Sequence, residues 1–470
     1  MRTVIATLMP TALVLLGISS AASAADLAAG VAVTDITPLL GYRMCGYFHE
    51  RQNTGTHDPL HAKALVLQQG RESAALVFCD IIGLSPDVAR QAREVAAEKT
   101  GIPFSHILIA ATHSHTGPLY FGAIRKLLHD QAVAKNGHDP CEKVDYPAIL
   151  ARRIADAVVK AKANLRPIGL NVGVASETRL AFNRRWHMKD GTVRFNPGSL
   201  NPNMVRPAGP IDPDIGVLLI RDTAKDRPFA ALTVFALHLD TVGGTEYSGD
   251  FPHYLEESLR KDLGADFVSF FGNGTCGDIN HVDFTKKRRP GGQVEAKRIG
   301  TALAETVKAE LPKLKPLKTP SLAVRSTTLQ VPMQRYSPDR VAKAKADMPK
   351  TVTTELPFLQ RVEIYKIVAV DMRGGSTLPM EVQVFRIAND LAIVGLPGEF
   401  FVDLGLAIKK ASPFKTTMVV ELCNDTPGYV PTEKAFKEGS YETVNSRIAP
   451  GGGETLVAAA TRLLKELHAP

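Results

Sequence analysis

The chain has 470 residues, of which 44% are hydrophobic and 22% are charged. It can therefore bury a large core and is neither a disordered nor a fibrous protein. The formal net charge is +8, but the only marked basic run is "KKRR" at residues 286–289, a pattern typical of a solvated loop. We expect no nucleic-acid partner, because no long basic stripe is present.

The N-terminus has the pattern of a secretory signal peptide over residues 1–24. Arg2 precedes an apolar run over residues 4–16, and small residues follow up to an expected cleavage near Ala24. No later apolar stretch is long enough to span a bilayer. We expect a mature chain over residues 25–470 that is secreted or periplasmic, without a transmembrane segment.

The five cysteines are scattered and odd in number: Cys45, Cys79, Cys141, Cys276 and Cys423. A disulfide scaffold needs a much higher cysteine density, so the core must hold the fold. The sequence leaves open one bridge, with unspecified partners.

Apolar runs and helical patterns alternate along the chain. Runs typical of buried strands cover residues 74–80, 106–112, 215–222, 230–240, 267–274, 391–397 and 417–424. Helical patterns cover residues 86–101, 146–165 and 295–311, and loops rich in Pro, Gly and Asn cover residues 196–210 and 289–293. This order predicts an α/β fold, in which a mixed β-sheet core is layered with helices in a single large domain.

Polar residues follow the predicted strands at the points where those strands end. They are Asp80, His113, His115, His238, Asp240, Gly277, Asp278, Asn280, Glu399 and Tyr429. Ligands of open α/β sheets bind at the carboxyl ends of strands, so we expect the active site there.

The stretch "THSHTGP" carries His113 and His115 on alternate residues. In extended backbone both side chains would lie on one face, as two metal ligands or as one ligand and one base. Imidazole and carboxylate are good Zn²⁺ ligands. A single histidine there is more often a hydrogen-bonded polar residue, and Glu399 also suits a helix start. The zinc hypothesis therefore depends on several such residues converging.

Nine short motifs occur in the order seen in one enzyme family. In chain order they are "AGVAVTDITP", "TGTHDPLHAKALVL", "THSHTGP", "AFNRR", "DPDIGVLLIRD", "FALHLDT…SGDFP", "NGTCGDIN", "GLPGEF" and "GYVPTEKAFKEGSYE". Over residues 29–445 the chain resembles the catalytic domain of neutral/alkaline ceramidases, which are zinc amidases.

The resemblance implies a role for each matching residue. It implies zinc ligation by His113, His238, Glu399 and Tyr429. It places His115 against the scissile amide, with Arg184 and Tyr441 as further catalytic residues that bind substrate. Zinc lowers the pKa of bound water, and His115 is suited to carry a proton to the leaving amine.

The sequence departs from this family at two places. The family has a serine in the glycine-rich loop, where this chain has Asn280 after Gly277 and Asp278. We expect these three residues to bind substrate, without an acyl-serine intermediate. The sequence ends at Pro470, so we also expect no C-terminal immunoglobulin-like domain.

The sequence thus predicts an exported zinc amidase that cleaves the N-acyl amide bond of a small amphipathic substrate of ceramide type. Peripheral membrane contact is compatible with such a substrate, and the oligomeric state is not specified. One alternative is a zinc hydrolase of another amide or ester, and a second is a non-catalytic exported binding protein. No G-x-S-x-G motif supports a serine hydrolase.

Overall fold

The computed structural model describes residues 26–469, so the predicted signal peptide lies outside the described residues. In chain order the strands are β1 (Leu27–Asp35), β2 (Gly55–Thr56), β3 (His61–Gln69), β4 (Glu72–Cys79), β5 (Ile107–Ala111), β6 (Arg166–Ser176), β7 (Phe182–Asn183), β8 (Arg185–Met188), β9 (Val193–Phe195), β10 (Met204–Pro207), β11 (Asp214–Asp222), β12 (Arg227–Phe235), β13 (Glu246–Tyr247), β14 (Val268–Asn273), β15 (Ile279–Asn280), β16 (Lys315–Pro316), β17 (Pro320–Pro332), β18 (Thr377–Ala388), β19 (Leu391–Gly395), β20 (Glu399–Phe400), β21 (Thr416–Val420) and β22 (Tyr429–Val430). The helices are α1 (Pro86–Thr100), α2 (Gly122–Asn136), α3 (Tyr146–Ala163), α4 (Phe251–Leu263), α5 (Gln293–Glu310), α6 (Pro338–Asp347), α7 (Phe358–Arg373), α8 (Val402–Ala411), α9 (Glu433–Glu438), α10 (Tyr441–Asn445) and α11 (Gly452–His468). Short 3₁₀ turns cover Phe104–His106, Leu311–Lys313 and Met348–Val352.

Two large mixed sheets form the centre of the fold. The nine-stranded sheet has the order β14-β12-β11-β6-β1-β3-β4-β5, with β16 paired to β6. Its β4–β5 and β12–β14 pairs are parallel, and its other pairs are antiparallel. The second sheet has the order β17-β18-β19-β21, and its β19–β21 pair is parallel. The predicted mixed α/β architecture is confirmed.

The two sheets pack face to face, with helices on both outer sides. Successive side chains of β3 point to opposite faces of the nine-stranded sheet. Leu65 faces the second sheet and packs in one cluster with Phe385 and Ile393. Ala64 and Val66 face the other way, toward α1 and α3. Helices α4 and α5 cover the other half of that outer face, and α8 and α11 cover the second sheet. Strands buried on both faces read as continuous apolar runs, because neither face meets water.

Cap residues fix where the major helices begin and end. The Ser85 side chain accepts a hydrogen bond from the Val88 N–H at the start of α1, and Gly101 ends the helix with φ 71°. The side chain of Asp145 caps α3 in the same way by accepting from the Ala148 N–H.

A separate group of helices lies beside the sheets. Helices α6 and α7 lie between β17 and β18 in the chain, and α7 packs against both α6 and α2. Their apolar side chains form a small cluster of their own, which includes Ile124, Leu128, Met348, Ile364 and Ile367. We call α2, α6 and α7 the helical wall.

All seven predicted strands and all three predicted helices are found, with ends shifted by a few residues. The predicted loop at residues 196–210 is partly wrong, since Met204–Pro207 form β10 against β8. All five cysteines are buried and free, so the bridge left open by the sequence is not formed. Among residues 26–469, the helices are too short or too polar to cross a bilayer.

Candidate metal centre and its cavity

Four strand exits from both sheets meet at one point. His113 follows β5 and His238 follows β12 in the nine-stranded sheet, whereas Glu399 and Tyr429 follow β19 and β21 in the second sheet. Glu399 and Tyr429 are direct partners in the parallel β20–β22 pair. The structure thus brings together the four predicted ligands at carboxyl ends of strands.

The ligand atoms of these residues lie at distances typical of a shared ion. The Nε2 atoms of His113 and His238 are 2.9 Å apart, and Glu399 Oε2 lies 3.4 Å and 3.8 Å from them, respectively. Two nitrogens bound tetrahedrally to one zinc would lie about 3.3 Å apart. His113, His115 and His238 also form a compact group of potential ligand nitrogens.

The local backbone differs from the extended H-x-H segment that the sequence predicted. Strand β5 ends at Ala111, and His113 has φ 81°, a left-handed conformation that is uncommon for a residue other than glycine. The His113 and His115 rings nevertheless converge, with centroids 5.0 Å apart. Their convergence thus comes from a strained turn and not from strand alternation.

Backbone carbonyls orient both buried histidines. The Nδ1 of His113 lies 2.6 Å from the Ile82 carbonyl oxygen, and the Nδ1 of His238 lies 3.3 Å from that of Cys276. A proton on each Nδ1 donates to the carbonyl and leaves Nε2 unprotonated toward the centre. Metal-binding histidines in proteins are held in this way.

Burial keeps the imidazoles of His238 and His115 neutral. Burial, together with Arg184 and His113, holds the pKa of His238 well below its usual value. Burial and His113 lower the pKa of His115 to about 3. Neutral imidazole is the form that binds a metal or accepts a proton.

The donor set fits a zinc ion. Within the described residues, Glu399 Oε2 is buried without a hydrogen-bond partner. An orphaned buried carboxylate oxygen is costly unless something positive faces it. Two imidazoles, one carboxylate and the Tyr429 phenol therefore form a donor set in which a cation would satisfy the Glu399 oxygen, and nitrogen and oxygen donors of this kind suit zinc.

His115 is placed differently from the two buried histidines. It is half-buried and lines a cavity, with its Nε2 3.4 Å from the Nε2 of His113. Its ring meets the edge of Tyr47, at a centroid distance of 6.2 Å. This position suits a base beside the metal, and it is also close enough for His115 to serve as a ligand.

Arg184 lies behind the centre and does not line the cavity. It donates to the Tyr429 hydroxyl at 3.1 Å, the Gly277 carbonyl at 2.7 Å and Glu442 at 2.9 Å. Direct substrate binding, as predicted for Arg184, does not match this placement. Arg184 instead positions Tyr429. Tyr441 does line the cavity, with its ring 5.4 Å from that of Tyr429.

The loop predicted to bind substrate is also outside the cavity. Asp278 accepts hydrogen bonds from Asn183 and the Val402 N–H, and the Asn280 amide donates to Asn196 at 3.0 Å. The Gly277 N–H donates to Phe400, and a Cβ on Gly277 would lie 2.6 Å from the Glu399 carbonyl. These residues pack the loop against neighbouring elements, and their predicted substrate contacts stay a prediction.

The cavity above the centre has a volume of about 400 Å³. Its floor carries His113, His115, Glu399, Tyr429 and Tyr441. Its sides are mostly apolar and are formed by Phe48, Leu119, Phe121, Ile124, Tyr365, Ala369 and Met372. A polar end and apolar sides suit an amphipathic molecule.

Sequence reasoning missed several residues of this site. Arg447 and Asn445 line the cavity, and Glu442 holds Arg184 together with Arg185. Only the closeness of these residues to Tyr441 in "SYETVNSR" could have suggested them. The Ile82 carbonyl leaves no signal in the sequence, because it acts through the backbone.

A second group of potential ligands, His129, Asp139 and Glu142, lies near α2. Arg43 Nη1 is 2.5 Å from Asp139, and Arg125 forms an ion pair with Glu142. The carboxylates are therefore already neutralised, and this group holds the fold.

Comparisons with known proteins identify the family and the fold of the chain. Residues 27–281 match the family model "Neutral/alkaline non-lysosomal ceramidase, N-terminal". No curated protein matched the sequence. The fold is similar to the crystal structure of neutral ceramidase from Pseudomonas aeruginosa, with 18% identity, a TM-score of 0.71 and coverage of 95% of this chain and 75% of that one. A structure described as ceramidase complexed with C2 gives 18% identity, a TM-score of 0.69 and coverage of 94% and 75%. The chain belongs to the neutral/alkaline non-lysosomal ceramidase family.

Proposed function

We propose that the protein is an exported zinc-dependent amidohydrolase that cleaves the N-acyl amide bond of a ceramide-like amphiphile. The observation that carries the proposal is the unpartnered Glu399 oxygen facing the His113 and His238 nitrogens, at the end of a cavity with apolar sides. Family membership supports the same reaction class. Export rests on the N-terminal sequence pattern.

The residues at the centre have separate tasks in this proposal. His113, His238, Glu399 and Tyr429 hold the zinc. The ion supplies Lewis-acid activation of water and of the amide carbonyl. The reaction adds one water across the C–N bond and yields a fatty acid and an amine.

His115 and Tyr441 handle protons and charge at the cavity side. The neutral His115 accepts a proton from the attacking water and passes it to the leaving nitrogen. Burial and Glu399 raise the pKa of Tyr441 to about 12, so its hydroxyl stays protonated and can donate to the developing oxyanion. The acyl chain lies along the apolar sides of the cavity, which the helical wall helps to form.

Metal analysis and a substrate panel test this proposal. Purified mature protein should hold one zinc per chain and release fatty acid from a short-chain ceramide or another N-acyl amide, and chelation should abolish the release. A matched control is His129→Ala, which removes a histidine from the second group and should keep both zinc and turnover. Metal-free wild-type protein, or full turnover after chelation, would contradict the proposal.

A further inference from the structure

Arg447 is a charged residue of the cavity for which the proposed reaction has no task. It follows α10 and lies against Gly428, where an added Cβ would be 2.3 Å from Arg447 Nη1. Gly428 directly precedes Tyr429. The guanidinium is therefore close to the centre, and it lines the same cavity as His115.

The charge of Arg447 is not neutralised within the described residues. Its guanidinium donates to the Pro427 carbonyl and, at 3.0 Å, to the Tyr365 hydroxyl, and neither acceptor is charged. Two other arginines near the cavity are paired with carboxylates, Arg184 with Glu442 at 2.9 Å and Arg373 with Asp425 at 2.8 Å.

The two hydrogen bonds and the Tyr365 ring, whose centroid lies 5.6 Å from Arg447 Cζ, supply no full counter-charge. A guanidinium carries five N–H donors in a planar fork that matches carboxylate and phosphate oxygens. A partly desolvated cation without a counter-ion is unfavourable, so an anion that enters the cavity would be stabilised there. An uncharged side chain with an N–H group could also donate to the Pro427 carbonyl, so this contact does not explain why the residue is an arginine.

Asn445 provides a second, independent observation. It is about nine-tenths buried, lines the cavity, and its Oδ1 has no hydrogen-bond partner within the described residues. Its Nδ2 donates to the Tyr441 hydroxyl at 3.3 Å. In the chain Asn445 lies between Tyr441 and Arg447, both of which line the cavity. An N–H or O–H of a substrate would satisfy its free oxygen.

We propose that Arg447 and Asn445 form a head-group subsite for an N-acyl amphiphile that carries an anionic group beside its amide. Arg447 pairs with the anion, and Asn445 accepts a hydrogen bond from an adjacent N–H or O–H. This inference rests on the proposed amidase function. It implies that the amine part of the substrate carries a carboxylate or a phosphate ester, whereas the head group of ceramide is uncharged.

Matched substrate pairs test the charge preference. N-lauroylglycine is compared with the uncharged N-lauroylglycinamide, and a short-chain ceramide 1-phosphate is compared with the same ceramide. We expect kcat/KM to favour the anionic member of at least one pair by about 10–100-fold, the range for a hydrogen bond to a charged group. The pair with the larger ratio identifies the anion as carboxylate or phosphate. Equal or reversed ratios in both pairs would overturn the inference.

Variants then assign the preference to Arg447. Arg447→Met should reduce the ratio of anionic to neutral substrate to about one, and Arg447→Lys should keep part of it, because it keeps the charge but loses the fork. Arg462→Met removes the same charge from the surface of α11 and should leave the ratio unchanged. An unchanged ratio in folded Arg447→Met, judged by its thermal melt, would overturn the assignment. If Arg447→Met does not fold, the ratio of anionic to neutral substrate in Arg447→Lys is used. A ratio below that of wild type supports the assignment, and an unchanged ratio overturns it.

Failure of the amidase proposal can be told apart from failure of this inference. If zinc-loaded protein cleaves no member of either pair, the amidase function is wrong. Calorimetric binding of N-lauroylglycine and N-lauroylglycinamide then tests the subsite alone. The subsite is supported if N-lauroylglycine binds more tightly than N-lauroylglycinamide and if Arg447→Lys reduces this difference in affinity. Equal binding of the two compounds would overturn it.

Discussion

The cavity has two parts that are built in different ways. The metal centre at its floor, formed by the ligands His113, His238, Glu399 and Tyr429, lies at the strand ends of both sheets and is held by backbone contacts. Its helical wall has an apolar cluster of its own, separate from the cores between and outside the sheets. Rigid strand ends fix the chemistry, and a peripheral helical segment can vary the substrate without disturbing it.

Removing a floor ligand should have the largest effect. His238→Ala should reduce zinc from one per chain to background and lower the rate by about 10³-fold or more, because Lewis-acid stabilisation is worth several kcal/mol. Elemental analysis and steady-state kinetics measure both. Stoichiometric zinc in this variant would rule out the ligand set.

His115 belongs to the cavity floor but not to the proposed ligand set, so its loss should lower the rate without removing the metal. We expect His115→Ala to keep most of the zinc and to lose about 10²–10⁴-fold in rate, as for a general acid or base. Zinc content is compared with that of His113→Ala, which should lose the ion. If both variants lose it equally, His115 is a ligand and the proton-transfer role is wrong.

The general position of the floor could be predicted from the sequence, because apolar runs show where strands end. The H-x-H segment, His238 and Glu399 each follow such a run. The sequence could not show that these ends belong to two sheets, since strand pairing is a tertiary property. It also gave no sign of the left-handed backbone at His113.

Most of the wall and the head-group subsite could not be predicted. Helix α7 is apolar on several sides, with buried Ile367 and half-exposed Met372, so its periodicity is weak. Asn280 is the opposite case, because its place in a glycine-rich motif suggested a substrate contact, which stays a prediction. In the fold its amide is bonded to Asn196 instead, which lies 84 residues earlier in the chain.

The stability of the fold should depend on a buried ion pair between the nine-stranded sheet and α4. Lys63 on β3 and Glu256 on α4 form a buried ion pair at 2.6 Å. Burial acts to raise the pKa of Glu256, but Lys63 and Arg260 outweigh it and the net pKa is lowered. Glu256→Gln should lower the free energy of unfolding at pH 7 by about 3–5 kcal/mol, because it leaves the lysine unpaired.

The pH dependence of this loss follows from the lowered pKa. The pair stabilises the fold above the unfolded-state pKa of about 4.3, and its contribution disappears as pH falls through the lower folded-state value. Urea unfolding of wild type and Glu256→Gln should therefore differ less at pH 3 than at pH 7. The matched control is Glu257→Gln, which breaks an exposed pair with Lys261 and should cost less than about 1 kcal/mol. Equal costs for the two variants would contradict the expected role of burial.

The smallest effect should come from the wall, and it should change selectivity and not catalytic power. Ile124 on α2 lines the cavity, and Ile124→Trp would fill part of its apolar side. Kinetics with short-chain and long-chain forms of the same N-acyl amide should show about a 10-fold lower kcat/KM for the long chain only, since one methylene in an apolar pocket is worth about 1–3 kcal/mol. Val133→Trp, at an exposed position of α2 outside the cavity, is the control and should leave the chain-length ratio unchanged. An equal loss for both chain lengths in Ile124→Trp would mean that the wall also positions the floor, and the separation between the two parts would not hold.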